Sequence, residues 1–513
     1  MAKKKEIEKT EEEKKDELKE NKKEDAKEVK TEKKKVNVLK TDDDSKNGQQ
    51  KCPKCGSTDI DVNKKTGKLR CNFCRYEYDA EKISGLEEKI DKISGENVAS
   101  GAQDIEKDAE DVITLKCESC GAEVVIDTKE SNQARCHWCR NTLSLNKQIP
   151  NGAVPDVILP FKVSKEDARK KIDEFVKKRR AFANPRFKRE FTSNNVMQVY
   201  FPYMLVDVNA HANFDGEGEK LIRSYTVGND DNERTYYDAD CYHVEREFDI
   251  AINGLSIESS SQRLDNTNKK QTNNIINSIM PFDTENCVKY DANYLKHCTS
   301  EKRDINIKDL DEVVEAQAKD VAKFAANPTL KKYDRGVAWK KEDLEVKGKQ
   351  WVAAYLPVWL YSYQEVKGSK KTLHYVAVNA RTKETMGSVP INMPMLIISS
   401  TILEIIGLFL MLITYSGKEE DDPNIIFLSL GVIFFLVIYY RYRNSGARHH
   451  YETETKKEMT NLRSVDEFKE KRKRLENSQI SGCNNHSLSG ENIKNKNFGT
   501  KRSKITVGKK PQK

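Results

Sequence analysis

The chain has 513 residues, of which 34% are charged, and its mean hydropathy is −0.79. This length predicts two to four domains at roughly 150 residues per domain, and the charge content excludes a polytopic membrane transporter. Twelve cysteines are too few for a secreted scaffold held together by disulfides. The net charge of +8 suggests nucleic-acid binding only if the positive charge is clustered on a folded domain.

The N-terminal segment, residues 1–50, has 16 lysines, 15 acidic residues and almost no apolar side chains. Such a segment cannot bury enough surface to offset the entropy lost on folding, so it is predicted to be disordered, a transient single helix or a coiled coil. It lacks the apolar core of a secretory signal.

Two stretches, residues 51–79 and 115–146, share the pattern C-x2-C-x15-C-x2-C, and each pattern predicts a small β unit of the zinc-ribbon type. Each provides four thiolates for a tetrahedral Zn²⁺, and Gly56 and Gly121 allow the turn that follows the second cysteine of each motif. The predicted ligands of two structural zinc ions are Cys52, Cys55, Cys71 and Cys74 for the first, and Cys117, Cys120, Cys136 and Cys139 for the second.

Because all four positions of each motif are cysteines, no coordination position is left open for catalysis. Structural disulfides and redox C-x2-C pairs are the alternatives; the predicted cytosolic location disfavours the first, and the repeated four-cysteine frame disfavours the second. Between the two units, residues 80–114 are predicted to form a linker with one short helix, because apolar residues recur at helical spacing. These residues are Ile83, Leu86, Ile90 and Ile93.

Before any zinc is bound, the first unit has a net charge of +3 and the second is neutral. Phosphate binding needs clustered positive charge, so protein contact is the favoured role of the pair, with nucleic-acid binding as the alternative. The first unit does combine basic and aromatic side chains, namely Lys64, Lys65, Lys68, Arg70 and Arg75 beside Phe73, Tyr76 and Tyr78.

The middle of the chain is interpreted as a duplicated α+β domain, with repeat 1 at residues 154–278 and repeat 2 at residues 279–390. Four landmarks recur in order: an apolar-Pro-Phe motif (158–161 and 279–282), a helical segment, an Asn-Pro pair (184–185 and 327–328), and an aromatic-rich strand with a central proline (200–205 and 355–360). Residues 164–167 form a capping box that begins the first helix at Ser164. The buried face of this helix is predicted to contain Ala168, Ile172, Phe175 and Val176.

Two apolar runs, Met395–Tyr415 and Asn424–Tyr440, predict a two-helix transmembrane hairpin within residues 394–440. The connecting loop is acidic and the following segment is basic, so both chain ends are predicted to be cytosolic. A buried helical hairpin in a soluble protein is the alternative. Glu404 lies at the centre of the first run. A carboxylate there is expected to pack against the second run near Gly431 or against a partner helix, or else to be tolerated in its protonated form.

The C-terminal segment, residues 441–513, has a net charge of +11, which leaves −3 for the other 440 residues. The positive charge therefore predicts a basic cytosolic tail in contact with anionic lipid, for example through Lys469–Arg474.

The sequence contains no nucleotide-binding, serine-hydrolase or zinc-protease motif, and we therefore expect no enzymatic activity. A hydrolase or transferase with a different site remains an alternative. A third metal site could be formed only if scattered residues converged, namely Cys241, His243, Cys287, His297 and Cys298; ordinary cytosolic cysteines and histidines are the simpler interpretation.

In the order of its parts, the chain resembles bacterial membrane proteins with zinc ribbons of the transcription-factor-IIB type. The resemblance covers residues 51–440 and is carried by CPKCG with CNFC, CESCG with CHWC, VILPF, VYFPYML, MPFD, YLPVWLY and VAVNARTKETMGSVP. It implies a scaffold in the cell membrane whose ribbons bind cytosolic or membrane proteins, with relatives associated with phage-shock-protein-A-like and SPFH-type partners in envelope stress. The long charged N-terminus and the basic tail differ from that pattern.

Overall fold

The structure is a computed structural model. It describes residues 36–39, 51–57, 60–63, 68–81, 89–104, 112–116, 121–127, 134–139, 142–143, 148–149, 155–228, 234–260, 276–295, 298–301, 303–367, 370–414, 429–443 and 451–476. The chain divides into two compact units, residues 1–37 and 38–513. The description below concerns the second.

The first 150 residues contribute short strands to three sheets. They are β1 (Val36–Leu39), β2 (Ile60–Val62), β3 (Leu69–Cys71), β4 (Glu77–Tyr78), β5 (Gly95–Ala99), β6 (Val112–Lys116), β7 (Glu123–Asp127), β8 (Ala134–Arg135), β9 (Thr142–Leu143) and β10 (Gln148–Ile149). Strands β2, β3 and β4 form one antiparallel sheet, and β8 pairs with β9. Strand β6 pairs with β7 on one side and with β10 on the other, at one end of the main sheet.

The main body follows as two sets of elements in the same order. The first set is β11 (Val157–Ile158), α1 (Lys165–Lys177), α2 (Pro185–Glu190), β12 (Met197–Val227) and β13 (Arg234–Glu258). A short strand, β14 (Val288–Lys289), leads to the second set. This set is β15 (Thr299–Glu301), α3 (Ile307–Ala326), β16 (Gly336–Lys367), β17 (Lys370–Asn379) and β18 (Thr385–Gly387).

The two long strands β12 and β16 run antiparallel through the centre of the sheet. Phe201 lies opposite Leu356, Tyr200 opposite Pro357, and Pro202 opposite Tyr355. The two similar sequence motifs are therefore paired with each other about a local twofold axis at Phe201 and Leu356. Val199–Met204 of β12 and Gly348–Ser362 of β16 are buried at every position, so the sheet is covered on both faces there. From Leu205 to Gly218 burial is mostly alternate, as expected where one face is covered.

The outer edges of β12 and β16 also correspond. β15 pairs in parallel with β12 at Val199 and Tyr200, and β11 pairs in parallel with β16 at Ala354 and Tyr355. The first strand of each set thus pairs with the long strand of the other set. Further along its length, β12 pairs with β13, and β16 pairs with β17.

Backbone hydrogen bonds repeat in the same way. Ser259 N donates to Pro202 O at 3.3 Å, and Ala380 N donates to Pro357 O at 3.2 Å. The oxygens of Ser259 and Ala380 then accept from the residues that precede a helix: Asp304 and Ile305 in one case, Lys162 and Val163 in the other. The two sets of elements therefore match from the centres of β12 and β16 to the starts of α1 and α3.

This correspondence differs from the sequence-based match at one landmark. The structural counterpart of Ile158 is Ser300 in β15, because α1 begins seven residues after Ile158 and α3 begins seven residues after Ser300. The predicted counterpart, the apolar-Pro-Phe motif at 279–282, follows a 3-10 turn (Ile276–Ile279) and lies outside β15. The side chains of the motif at 279–282 resemble those at 158–161. Pairing with β12, however, uses backbone hydrogen bonds, which the polar strand β15 can form equally well.

The helices cover apolar faces as predicted. The Ser164 side chain accepts a hydrogen bond from Asp167 N at 3.1 Å and caps α1, whose buried residues are Ala168, Ile172, Phe175 and Val176. In α3, buried residues recur every three or four positions and pack on β12, β13 and β16. Asn184 caps α2, with Pro185 at its first position.

The linker between the two cysteine motifs differs from its prediction. Ile83 and Leu86 lie outside the described residues, and Ile90–Lys92 form only one 3-10 turn. Gly95–Ala99, within the predicted linker, form β5, which pairs in parallel with β16. The buried Val98 and Ala99 explain the difference, since strand pairing lets both side chains enter the main core.

The last described elements are α4 (Met393–Thr414), α5 (Leu430–Arg443), the short helix α6 (Tyr451–Glu454) and β19 (Lys456–Glu476). β19 pairs antiparallel with β13 from Tyr236 to Asn253. The predicted basic tail thus contributes a strand to the main sheet, and Lys469–Arg474 lie within it. Antiparallel backbone pairing with β13 holds β19 in place, although β19 is rich in charged residues.

Candidate metal centre

The four cysteines of the first motif lie together at one end of the β2–β3–β4 sheet. Sγ of Cys52 is 3.6 Å from Sγ of Cys74, and Sγ of Cys55 is 3.6 Å from Sγ of Cys71. All four sulfurs lie within 4.8 Å of one another. A tetrahedral ion with ligands at about 2.3 Å requires sulfurs about 3.8 Å apart, so this cluster can hold a metal ion.

Two similar turns build the cluster. In the first, Gly56 N donates to Cys52 O at 2.8 Å; in the second, Arg75 N donates to Cys71 O at 2.9 Å. The residue after each second cysteine has a positive φ, +74° at Gly56 and +61° at Arg75. The predicted role of Gly56 is therefore confirmed, and Arg75 adopts the same conformation without being glycine.

The electrostatics of the cluster favour ionisation at one thiol in particular. Backbone N–H groups, first that of Cys74 and also that of Phe73, point at the Cys71 sulfur and lower the pKa of Cys71 to about 6. A thiol that ionises near neutral pH is a good metal ligand, because binding requires the thiolate.

The cysteine unit is packed against the main body. Ile60 and Leu69 are buried in one cluster with Ile158 and Tyr355, and Tyr78 packs at its edge. Lys289 N donates to Glu81 O at 2.8 Å at the same junction. The position of the unit relative to the body is thereby fixed, and Tyr78 belongs to the junction and does not form part of a free aromatic surface.

Two aromatic residues of the unit are exposed, and one of them, Tyr76, stacks on Tyr78. Phe73 is 80% exposed and Tyr76 is 42% exposed. Lys54 Nζ lies 5.7 Å from the centroid of the Tyr76 ring. Lys64 and Lys65, predicted as part of this surface, lie outside the described residues.

The second motif is described only in part. Cys136 is buried and Cys139 is half-buried, whereas Cys117 and Cys120 lie outside the described residues. Gly121 has a φ of +78°, as predicted for the turn after the second cysteine. Trp138 Nε1 donates to Glu301 at 3.0 Å, so this segment packs directly on β15.

The residues considered for a third metal site lie in separate places. Cys241 is on β13, Cys287 lies in the main core, and Cys298 packs near the first cysteine unit. His243 Nε2 lies 3.3 Å from Asp215, and His297 is outside the described residues. Within the described part of the chain, only the Cys52 group brings three or more ligand atoms together.

One described helix, α4, is long and apolar enough to cross a membrane by length and composition. Its outer residues, such as Ile398 and Phe409, are exposed. The described part of the predicted second span, α5, has 14 residues, fewer than a span requires. Residues 424–428, which the prediction included in that span, lie outside the described residues.

Helices α4 and α5 are joined to the body at their base. Phe182 O accepts from Asn392 N at 2.8 Å, and the Phe182 ring packs edge-on against Phe434 and Tyr442. Further along the pair, Glu404 accepts a hydrogen bond from Gly431 N, as expected from its position in the sequence.

Comparison of the chain with protein-family models, curated proteins and solved structures gives no match.

Proposed function

We propose that the protein is a non-enzymatic scaffold that is anchored in the cell membrane and binds partner proteins through two zinc ribbons. The observation that carries this proposal is the continuous packing from the cysteine unit to the apolar helices. The unit is fixed to the body through Ile60 and Leu69, and the body is fixed to α4 and α5 through Phe182. A partner bound to the unit would be held at a set distance from the membrane.

The pairing of β13 with β19 supports a two-span anchor. β13 precedes α4 in the chain, β19 follows α5, and the two strands pair over most of their length. If α4 crosses a membrane, the chain must cross it again before β19. A second span from Asn424 to Tyr440 would provide this return.

The charge at the base of the helix pair supports a cytosolic body. Lys177 at the end of α1 and Arg180 just after it are exposed, and Arg441 lies near the end of α5. Positive residues near the ends of membrane spans stay on the cytoplasmic side. Both the body and β19 would therefore be cytosolic.

Both four-cysteine motifs are proposed to bind Zn²⁺, because thiolate ligands select zinc over magnesium or calcium. In the first unit the ion would be held by Cys52, Cys55, Cys71 and Cys74. Phe73 and Tyr76 then form the contact surface offered to a partner protein, since exposed aromatic residues are enriched at interaction sites. The family resemblance suggests partners of the phage-shock-protein-A-like or SPFH type.

The test is affinity purification of the full chain from detergent with two double variants. Phe73→Ala/Tyr76→Ala removes the proposed contact surface, whereas Ile222→Ala/Val227→Ala removes two exposed apolar side chains at the end of β12. We expect the first variant to lose partner proteins that the second retains. Identical partner sets for wild type and both variants would overturn the scaffold proposal.

A membrane-tethered nucleic-acid binder is the second candidate, and one observation favours it. Lys54 and Arg75 lie beside the exposed Phe73 and Tyr76, and single-stranded nucleic acids bind surfaces that combine cations with aromatic stacking. Fluorescence anisotropy with labelled single-stranded DNA and RNA would distinguish the two. Affinity that falls steeply with salt and is lost in Phe73→Ala/Tyr76→Ala would favour this candidate.

A further inference from the structure

A cleft of about 570 Å³ lies between α1 and the turn that joins β17 to β18. Four cationic side chains line it, Lys171, Lys178, Arg179 and Lys383, and two carboxylates, Glu174 and Glu384, lie among them. The lining thus has a net charge of +2. Two of the cations are engaged with carboxylates, since Lys171 is 3.9 Å from Glu174 and Lys383 is 2.9 Å from Asp167.

Arg179 differs from these lysines because it is 8% exposed and all its described hydrogen bonds are to neutral groups. Its Nε donates to Arg441 O at 3.2 Å and its Nη1 donates to Phe175 O at 2.9 Å. Within the described residues its Nη2 makes no hydrogen bond, and no carboxylate pairs with it.

The surroundings of Arg179 lack a negative charge among the described residues, which leaves a place for an anion. Burial and the positive charge of Arg441 lower the pKa of Arg179 to about 10. The guanidinium remains charged at neutral pH. It stacks on the Phe175 ring, with Cζ 3.6 Å from the ring centroid, but no described carboxylate balances its charge, so a bound anion would add a favourable charge pair.

The cleft lies beside the base of the apolar helices. Arg179 bonds directly to Arg441 at the end of α5, and three residues later Phe182 packs on Phe434 and Tyr442. If α4 and α5 lie in a membrane, this is the depth at which lipid headgroups lie. The following inference rests on that proposed anchoring.

We propose that this cleft binds the phosphate of an anionic phospholipid headgroup. Arg179 Nη2 and the Lys178 ammonium would donate to the phosphate oxygens, and Lys171 and Lys383 would contribute positive charge at the rim. The headgroup would then fix the orientation of the body at the membrane surface. This site differs from the predicted tail contact, because Lys469–Arg474 are in β19 and pair with β13.

The experiment measures binding of phosphatidylglycerol with a fluorescent acyl chain to the full chain in neutral detergent, with phosphatidylcholine as the uncharged comparison. The test variant is Lys171→Gln/Lys178→Gln, which keeps Arg179 and the packing of α1. The matched control is Lys165→Gln/Lys170→Gln, which removes the same charge from α1 at two exposed positions outside the cleft.

We expect the test variant to bind phosphatidylglycerol more weakly by about fivefold for each charge removed, and the control by at most about twofold in total. Equal losses in the two variants, or no loss in either, would overturn the headgroup site. Competition with inorganic phosphate identifies the source of the anion: displacement of the lipid only at far higher concentration supports a lipid site, whereas equal affinity for free phosphate overturns it.

Membrane anchoring is scored separately by sedimentation of membranes from cells that express the wild-type chain. Absence of the chain from membranes would overturn the proposed anchoring, and with it the lipid assignment. Loss of the difference between the two double variants would overturn the headgroup site alone.

Discussion

Gly431 N donates a hydrogen bond of 2.7 Å to Glu404 Oε2, which links the start of α5 to the middle of α4. A Cβ on Gly431 would lie 2.3 Å from Ser400 O, so the two helices are in direct backbone contact at this point. The carboxylate at the centre of the apolar run thus has a structural partner, and its position is explained by helix packing.

Replacing Glu404 tests this contact. Glu404→Leu leaves the Gly431 N–H without its acceptor, and we expect this to lower the free energy of unfolding by about 1–3 kcal/mol. Glu404→Gln retains an oxygen acceptor and should cost much less. Thermal unfolding of the two variants in the same detergent provides the measurement, and equal midpoints would contradict the hydrogen bond.

Gly431→Ala tests the close approach independently. The added methyl group meets the Ser400 carbonyl, so we expect α5 to separate from α4 and the thermal midpoint to fall. Val432→Ala changes an exposed neighbour and serves as the control. A control that destabilised as much as Gly431→Ala would show that the backbone contact is unimportant.

Metal content tests both cysteine motifs. We expect about two zinc ions per purified wild-type chain, and one after either Cys55→Ser or Cys117→Ser, because three thiolates hold zinc far less tightly than four. Cys483→Ser, which changes a cysteine outside both motifs, should retain two. Elemental analysis gives the ratio, and a single ion in the wild type that is unaffected by Cys117→Ser would mean that the second motif is empty.

Asp466 of β19 is expected to control attachment of that strand. It accepts hydrogen bonds from Arg246 at 2.9 Å, Lys332 at 2.5 Å and Tyr333 at 2.7 Å. Because Arg246 is buried, Asp466→Asn leaves a buried cation without its partner, which costs about 3–5 kcal/mol. Hydrogen exchange of residues 456–476 should increase in this variant but not in Glu467→Gln, which changes an exposed neighbour.

The same carboxylate gives a dependence on pH. Burial would raise the pKa of Asp466, but the bonds from Arg246, Lys332 and Tyr333 lower it to about 2. A carboxyl whose folded pKa is below the unfolded value of about 3.9 contributes its full stabilisation above pH 4 and loses it as the pH falls towards 2. Protection of β19 should decrease over this range in the wild type, and a decrease of the same size in Asp466→Asn would contradict the assignment.

Reporter fusions in a bacterial host test the two-span topology. Fusion after Lys418 places the reporter in the loop between the apolar runs, and fusion after Asn477 places it after β19. We expect alkaline phosphatase to be active at the first site and green fluorescent protein to fluoresce at the second. Cytosolic reporters at both sites would show that the helices do not cross the membrane.

The features predictable from the sequence are those set by local spacing. Four cysteines in two knuckles define their cluster, the face of α1 follows from its period, and Glu404 and Gly431 meet because antiparallel helices bring the centres of the two runs together. β19 could not be predicted in this way. Its apolar residues Met459, Leu462 and Phe468 are scattered among charges, and only the open edge of β13 determines that this segment is extended.

The pairing of β15 with β12, and of β11 with β16, could not be predicted by sequence comparison either. β15 has the sequence TSE and shares no residue type with β11 at its paired positions. Its backbone pairs with Val199 and Tyr200 of β12, so the strand equivalent to β11 lies about twenty residues after the sequence motif. A repeat boundary set by backbone pairing leaves little trace in side-chain identity.

The position of β19 also imposes an order on biosynthesis. It is the last described element to leave the ribosome, so the edge of β13 stays open until residues 456–476 have been made, after both apolar helices have emerged. An open strand edge pairs readily with other chains. Both apolar helices are therefore made before the sheet is closed, and a nascent chain that stalls between these two events exposes an aggregation-prone edge.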